Sequence, residues 1–275
     1  MSCDRAQLTA VQLLTGKDYL TKVQYRTDGN LAARQSIYAY QDPRIDLVST
    51  VLGLAGLTGA ETVVDVGCGN GIYLAGLAHR GHRGLMAGVD LSPGMLAAAR
   101  SAAPDAGFSI GDAARLPIAD DAADITLAPH MLYHLPDPAA AAAEFRRITR
   151  PGGQLLVVLN GKDHLIEFRE LITSTAAAIE LPAEAVATIC DTYRVMTLDI
   201  GAELLSGVFT SVQRHDFIGE LKLPGAEPVA SYVASMRTHA LADPAAFVAA
   251  VTERVPFGPD GVFRVRTHAG LLVCR

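Results

Sequence analysis

Two hydrophobic periods take turns along the chain. From Glu61 to Leu159 short apolar runs near 62–66, 84–89, 107–110, 123–128 and 153–159 read as strands, and segments of helical period fill 70–80, 93–102 and 138–149. That alternation predicts a parallel sheet with helices on both faces. Before it the pattern is helical: Ala6–Leu14 is amphipathic, a second helix covers Leu31–Tyr40, and Pro43 is expected to open a third through Leu52, with turn-rich 25–30 between the first two. After it, Asn160–Phe168 opens a helical stretch to about residue 207, too long and too periodic for a loop. A sixth strand is expected over Phe209–Leu223, helices near 228–240 and 244–253, and a last strand over Val262–Cys274. The expected fold is α/β: a doubly wound, mostly parallel, seven-stranded sheet with a helical cap. One domain is expected, made of an N-terminal helical arm (1–57), a core (58–160), a lid insertion (161–208) and a segment completing the sheet (209–275).

The first strand runs straight into glycines at alternate positions, Val63-Val-Asp-Val-Gly-Cys-Gly-Asn-Gly71. Gly67 and Gly69 permit backbone angles that a Cβ forbids and let a ligand approach the main chain. The amides opening the next helix offer donors to a polar or anionic group, and Asp65 is expected to place a carboxylate beside that pocket. Nicotinamide, flavin and nucleotide folds all use such a turn. The dinucleotide fingerprint G-x-G-x-x-G, however, is broken here by Ile72. About twenty residues on, Leu85–Asp90 is a second strand ending in an acid, where such folds hold a ribose.

The order Val63–Gly71, Gly88-Val-Asp-Leu-Ser92, Gly111-Asp112-Ala113, Met131-Leu-Tyr-His-Leu-Pro-Asp137 and Arg150-Pro-Gly-Gly153 resembles the successive motifs of class I S-adenosylmethionine (SAM)-dependent methyltransferases. The likeness is to their small-molecule branch related to ubiquinone and menaquinone C-methyltransferases, and it covers about residues 60 to 160. It implies a Rossmann-like methyltransferase fold, SAM as cofactor and S-adenosylhomocysteine as product. It also implies that Asp65, Gly67, Cys68 and Gly69 form the turn under the cofactor, that Asp90 holds the ribose, and that Leu91 and His130 also belong to the cofactor site. Asp112 would accept from the adenine amino group while the Ala113 amide donates to the ring. Tyr25 and Arg34 would reach the methionine end. An arginine–carboxylate contact is charge-assisted; a solvated Arg34 on a surface helix is the other reading. The segment from His130 to His134 would lie beside the methyl group, with His134 often structural.

Composition narrows the acceptor class. A formal charge of −6, few lysines and dispersed arginines argue against a nucleic-acid surface. No apolar run approaches a membrane span, and no signal-peptide pattern opens the chain, so a cytoplasmic protein is expected. Cys3, Cys68, Cys190 and Cys274 are far apart, which favours reduced thiols over a zinc site or disulfides. His130 and His134 lie four apart, yet neither a following Glu nor a third ligand accompanies them, so no metal is expected. The partner expected is a small-molecule acceptor, with neither membrane nor nucleic acid, and the protein a monomer or homodimer.

Methyl transfer is an in-line displacement in which alignment supplies much of the acceleration. If the acceptor must lose a proton, histidine is the usual base near neutral pH. His130 and His164 are the candidates, with Tyr133 and His134 beside them; either histidine could instead be half-buried and satisfied by backbone groups. Tyr19, Tyr25, Tyr38, Tyr133, Phe168, Phe217 and Tyr232 fall in the cap elements or at the sheet edge, and an aromatic wall suits a flat, electron-rich acceptor. Two rival readings share the sheet: an NAD(P)-dependent oxidoreductase, and a SAM-binding protein without catalysis.

Overall fold

The alternating segments fold as one eight-stranded sheet with helices on both faces. The computed structural model describes residues 15–275 except 28, 191–195, 237, 239 and 240, and the backbone alone at 184, 188 and 190. The helix expected over Ala6–Leu14 lies outside the described residues. Strands β1 (Gln41–Asp42), β2 (Val63–Val66), β3 (Met86–Asp90), β4 (Gly107–Ile110), β5 (Ala123–Pro129), β6 (Thr149–Asn160), β7 (Val212–Pro224) and β8 (Val262–Cys274) take the order β1-β7-β8-β6-β5-β2-β3-β4. β2 to β6 are mutually parallel, β8 runs antiparallel between β6 and β7, and β1 is antiparallel on β7. Seven strands were expected; the eighth, β1, has two residues, too few to carry a period-two signal.

The helices are α1 (Gly29–Ser36), α2 (Leu47–Leu54), α3 (Ile72–His79), α4 (Pro93–Ala102), α5 (Pro138–Ile148), α6 (Ile166–Ala178), α7 (Ala183–Cys190), α8 (Leu198–Ser206), α9 (Glu227–Ala234) and α10 (Pro244–Glu253). Ser92 caps α4 through the Met95 amide with Pro93 in the first turn, as its sequence suggests. The helix expected at Pro43 starts instead at Leu47, because Asp46 supplies the cap by accepting from Ser49 N–H at 3.0 Å. The segment expected as one helix over Leu31–Tyr40 divides into α1 and a 3₁₀ turn at Ile37–Tyr40.

Strand alternation sorts the core into two layers. Leu155, Val157 and Leu159 of β6 face α5 and α8, while Leu156 and Val158 face the α2–α3 side together with Val63, Leu271 and Val273. A third cluster joins α6, α7, α9 and α10 to Leu221, Leu223, Phe263 and Val265 of the long hairpin β7–β8. The stretch expected as a lid therefore divides. α6 and α7 belong to this cap, whereas α8 lies on the sheet, so close that a Cβ at Gly201 would fall 2.3 Å from Leu159 Cδ1. Among the described residues no helix is long and apolar enough to cross a membrane.

Candidate active site

β6 ends at Asn160, paired with Ala269, but the hairpin continues: residues 262–268 of β8 pair with 218–224 of β7 past the edge where the parallel strands stop. The cap rides on that extension. Between it and the C-terminal edge lies a cavity of about 680 Å³, where open α/β sheets bind ligands. Tyr25, Arg34, Gly67, Cys68, Gly69, Asp90, Leu91 and Ala113 line it, and so do His130, Tyr133, His134 and His164.

The glycine turn forms the floor. Gly67 has φ +69°, and a Cβ there would lie 2.8 Å from that of Met131, so both conformation and space require glycine. Asp90 braces the turn, accepting from Gly69 N–H at 2.9 Å and from Ser92 N–H at 2.8 Å. Burial raises its pKa while those two donors oppose the rise. Cys68 is buried, and burial also raises its thiol pKa.

Asp65 does not line the cavity, which corrects the expectation of a carboxylate beside the pocket. It is fully enclosed, neither carboxyl oxygen has a hydrogen-bond partner among the described residues, and its charge would act on the Tyr73 phenol. Burial, aided by the Asp90 charge, lifts its pKa from 3.8 to about 8. A folded-state pKa above the unfolded one means that wild-type stability falls as pH rises from about 4 to 8. Asp65→Asn removes that loss. The unfolding free energy of the free variant relative to wild type is expected to climb steadily from pH 5 to pH 8, by at most about 1.4 kcal/mol per pH unit, and its melting temperature to climb with it. A constant difference across that range would contradict it.

The arm closes one side. The Ser92 hydroxyl donates to Tyr25 O at 2.7 Å, and the Tyr25 hydroxyl meets His134 Nε2 at 2.9 Å. Arg34 lies 5.5 Å from the Tyr25 ring centroid and donates to Ser235 O at 2.9 Å. It is thus a half-buried cavity residue rather than a solvated one. Asp112 departs from its expected role. Its neighbours Gly111 and Ala113 line the cavity, but its own carboxylate is at the rim, paired with Lys17 of the arm and accepting from Ala114 N–H. Partial burial works against ionisation there, yet the Lys17 contact holds the carboxyl below its ordinary range.

The four candidate catalytic side chains share the cavity but differ in state. His134 is engaged by Tyr25 and packs edge-on against Tyr133, ring centroids 4.6 Å apart. His164 accepts the His268 backbone N–H at Nδ1 (3.0 Å), so its proton resides on Nε2, which donates to the Tyr38 hydroxyl at 3.1 Å. Neither nitrogen is placed to take a proton from a ligand, which corrects its assignment as a base. Burial, then the charges of His130 and His268, lowers its pKa to about 3. Because the unfolded histidine protonates near 6.5, His164 costs stability as pH falls through the window from 6.5 toward 3. His164→Gln is expected to flatten that acid slope in thermal melts between pH 7 and 4.5. An unchanged slope would refute the neutral state.

His130 is different. It turns the chain at the end of β5 with φ 54°, a conformation uncommon outside glycine and often kept at functional sites. Its N–H is anchored to Val158 O at 2.8 Å. Its half-buried ring lines the cavity with no hydrogen-bond partner among the described residues, and burial lowers its pKa to about 4.

Of the aromatic residues, Tyr25, Tyr38, Tyr133, Phe217 and Tyr232 line the cavity, whereas Tyr19 and Phe168 pack in hydrophobic clusters. Gln41, Asn160 and Thr267 were not anticipated. Asn160 left a legible signal: one polar residue closing a strand that is otherwise apolar from Leu155 to Leu159. Among the described residues no group of His, Cys, Asp and Glu gathers as a metal site.

The cavity fits SAM in kind. A half-buried acid, Asp90, and open backbone stand at the Gly67–Asp90 end, suited to ribose hydroxyls, and the Arg34 guanidinium lies in the wall on the arm side. Comparison with known proteins points the same way. The methyltransferase domain family matches residues 64–157. A malonyl-[acyl-carrier protein] O-methyltransferase of Serratia marcescens is 31% identical over 153 residues, 54% of this chain and 59% of that protein. A demethylmenaquinone methyltransferase of Beutenbergia cavernae is 35% identical over 127 residues, 42% of this chain and 52% of its own. The chain thus spans little more than half the length of these curated relatives. In fold it is similar to a putative methyltransferase of Bacillus halodurans (TM-score 0.57, 18% identity, 84% of this chain and 99% of the other). It is also similar to a putative methyltransferase from an antibiotic biosynthesis pathway of Anabaena variabilis (TM-score 0.58, 17% identity, 83% and 96%). Residues 64–157 thus match the methyltransferase domain family, and the order of the motifs and the sheet agree with that match, which implies S-adenosylmethionine as the cofactor.

Proposed function

We propose that the protein transfers a methyl group from SAM to a small, electron-rich aromatic acceptor, indole- or phenol-like, or a related secondary metabolite. The observation that carries this reading is that one cavity holds both the Gly67–Asp90 turn and a second wall built from His130, Tyr38, Phe217 and Tyr232. The bound cofactor supplies an electrophilic methyl on a sulfonium. The chain's own residues do the rest. Asp90 and the glycine turn fix the donor, the aromatic wall orients a flat acceptor, and the cap keeps water out. His130, neutral and unengaged at the end of β5, is the group able to take a proton from an acceptor O–H or N–H. Asp112 joins the adenine only if Lys17 yields it.

An oxidoreductase reading has nothing comparable to recommend it, since Ile72 stands where the dinucleotide turn needs glycine. Calorimetric titration with SAM and with NADH separates the two, and a screen with radiolabelled methyl donor against indoles, phenols, quinones and amines tests turnover. Tight NADH binding without SAM binding would overturn the proposal. SAM binding with no methylated product across the panel would leave a binding protein in its place.

A further inference from the structure

Asn160 is the last residue of β6, 7% exposed, and shares strand parity with Leu156 and Val158, so it faces the side that carries the cavity. It lines that cavity, yet its Oδ1 is buried with no partner, and no protein group among the described residues bonds its Nδ2. Exchanging the two ends of the amide changes nothing, because neither end is engaged. A carboxamide unpaired away from water is destabilising, and such groups in native proteins call for a reason. The reason lies in its surroundings. Pro129 pairs with Val158, so His130 follows on the strand end next to that of Asn160. In this half Tyr38, Gln41, Tyr232 and Thr267 are neutral by nature and His130 and His164 by burial, while the exposed Arg44 and Asp46 also line the cavity. Arg34 donates from Nη1 to Ser235 O of the segment after α9 and lies beside the Tyr25 ring, on the arm side of the cavity.

We propose that Asn160 reads the methyl acceptor, its carboxamide pairing with an uncharged N–H or O–H group held beside His130. The enzyme then takes acceptors that carry such a group and rejects those in which carbon replaces that hydrogen. The selection follows from desolvation. An acceptor without the hydrogen loses water and leaves the asparagine as unpaired as before.

This rests on the methyltransferase reading, and the test keeps the two apart. Calorimetry with S-adenosylhomocysteine comes first; absence of binding would defeat that reading whatever Asn160 does. The loaded protein is then titrated with indole against N-methylindole and phenol against anisole. Wild type is expected to prefer indole and phenol to their methylated partners by roughly tenfold, the worth of one good hydrogen bond. Asn160→Leu, of nearly the same shape, should erase that ratio with unchanged affinity for S-adenosylhomocysteine. It should also melt about 2–4 °C higher in the free state, since the unpaired amide is gone. Asn160→Ser, which keeps a hydroxyl, should hold part of the ratio and serves if leucine prevents folding. Equal or absent binding of the paired probes to loaded wild type, a ratio that survives in Asn160→Leu, or a lower melting point of that variant would each overturn the proposal.

Discussion

Asp90→Ala is expected to weaken SAM binding by about a hundredfold, measured by calorimetry, and to do so through two losses at once. The carboxylate braces the glycine turn through Gly69 N–H and Ser92 N–H, and it is the acid in the cavity wall at the end where the ribose is expected. Hydrogen bonds to a charged group contribute roughly 1.5–3 kcal/mol each, so losing ligand contacts and brace together removes about 3 kcal/mol or more. Asp90→Asn should fall between, since its amide still accepts from one backbone donor. Asp112→Ala should cost far less, because that carboxylate is on the rim and engaged by Lys17. If Asp90→Ala binds SAM within threefold of wild type, the cofactor does not occupy this end of the cavity.

The contrast between the two acids marks what a sequence can and cannot convey. Asp90 sits in a motif whose spacing to the glycine turn is fixed by a parallel register, Val66 against Val89, so its place follows from local pattern. Asp112 also stands at the foretold strand end, but its partner Lys17 is ninety-five residues away in the arm, a distance no periodicity spans. The parallel sheet was legible because each buried strand is a run of apolar residues bounded by turn formers. The two-residue β1 and the true start of α2 were not, since one is too short for a period and the other is decided by the Asp46 cap. His164 illustrates the same limit. Its residue type suggested a base, and only the long β7–β8 hairpin, which brings His268 N–H to its Nδ1, assigns it the tautomer of a donor.

His130 carries the other large effect. If the acceptor loses a proton during transfer, His130→Asn is expected to slow single-turnover methylation by a factor of about 10² to 10⁴, with SAM affinity unchanged. Asparagine is the substitution to make, because it tolerates the left-handed backbone (φ 54°) that an alanine would strain. The pH profile distinguishes this role from a merely packed histidine. With its pKa pushed down to about 4 by burial, His130 is neutral throughout the physiological range. The wild-type rate should therefore show no histidine limb between pH 6 and 8 and should fall only as pH drops toward 4, whereas the variant should lack that acid limb. A low pKa also makes His130 a weak base, matched to an acceptor whose proton becomes acidic only as the new bond forms, as with a phenol or an N–H under attack by the methyl cation equivalent. Wild-type rates in His130→Asn across this range would mean that the acceptor needs no protein base. The strained turn at the end of β5 would then serve to shape the wall.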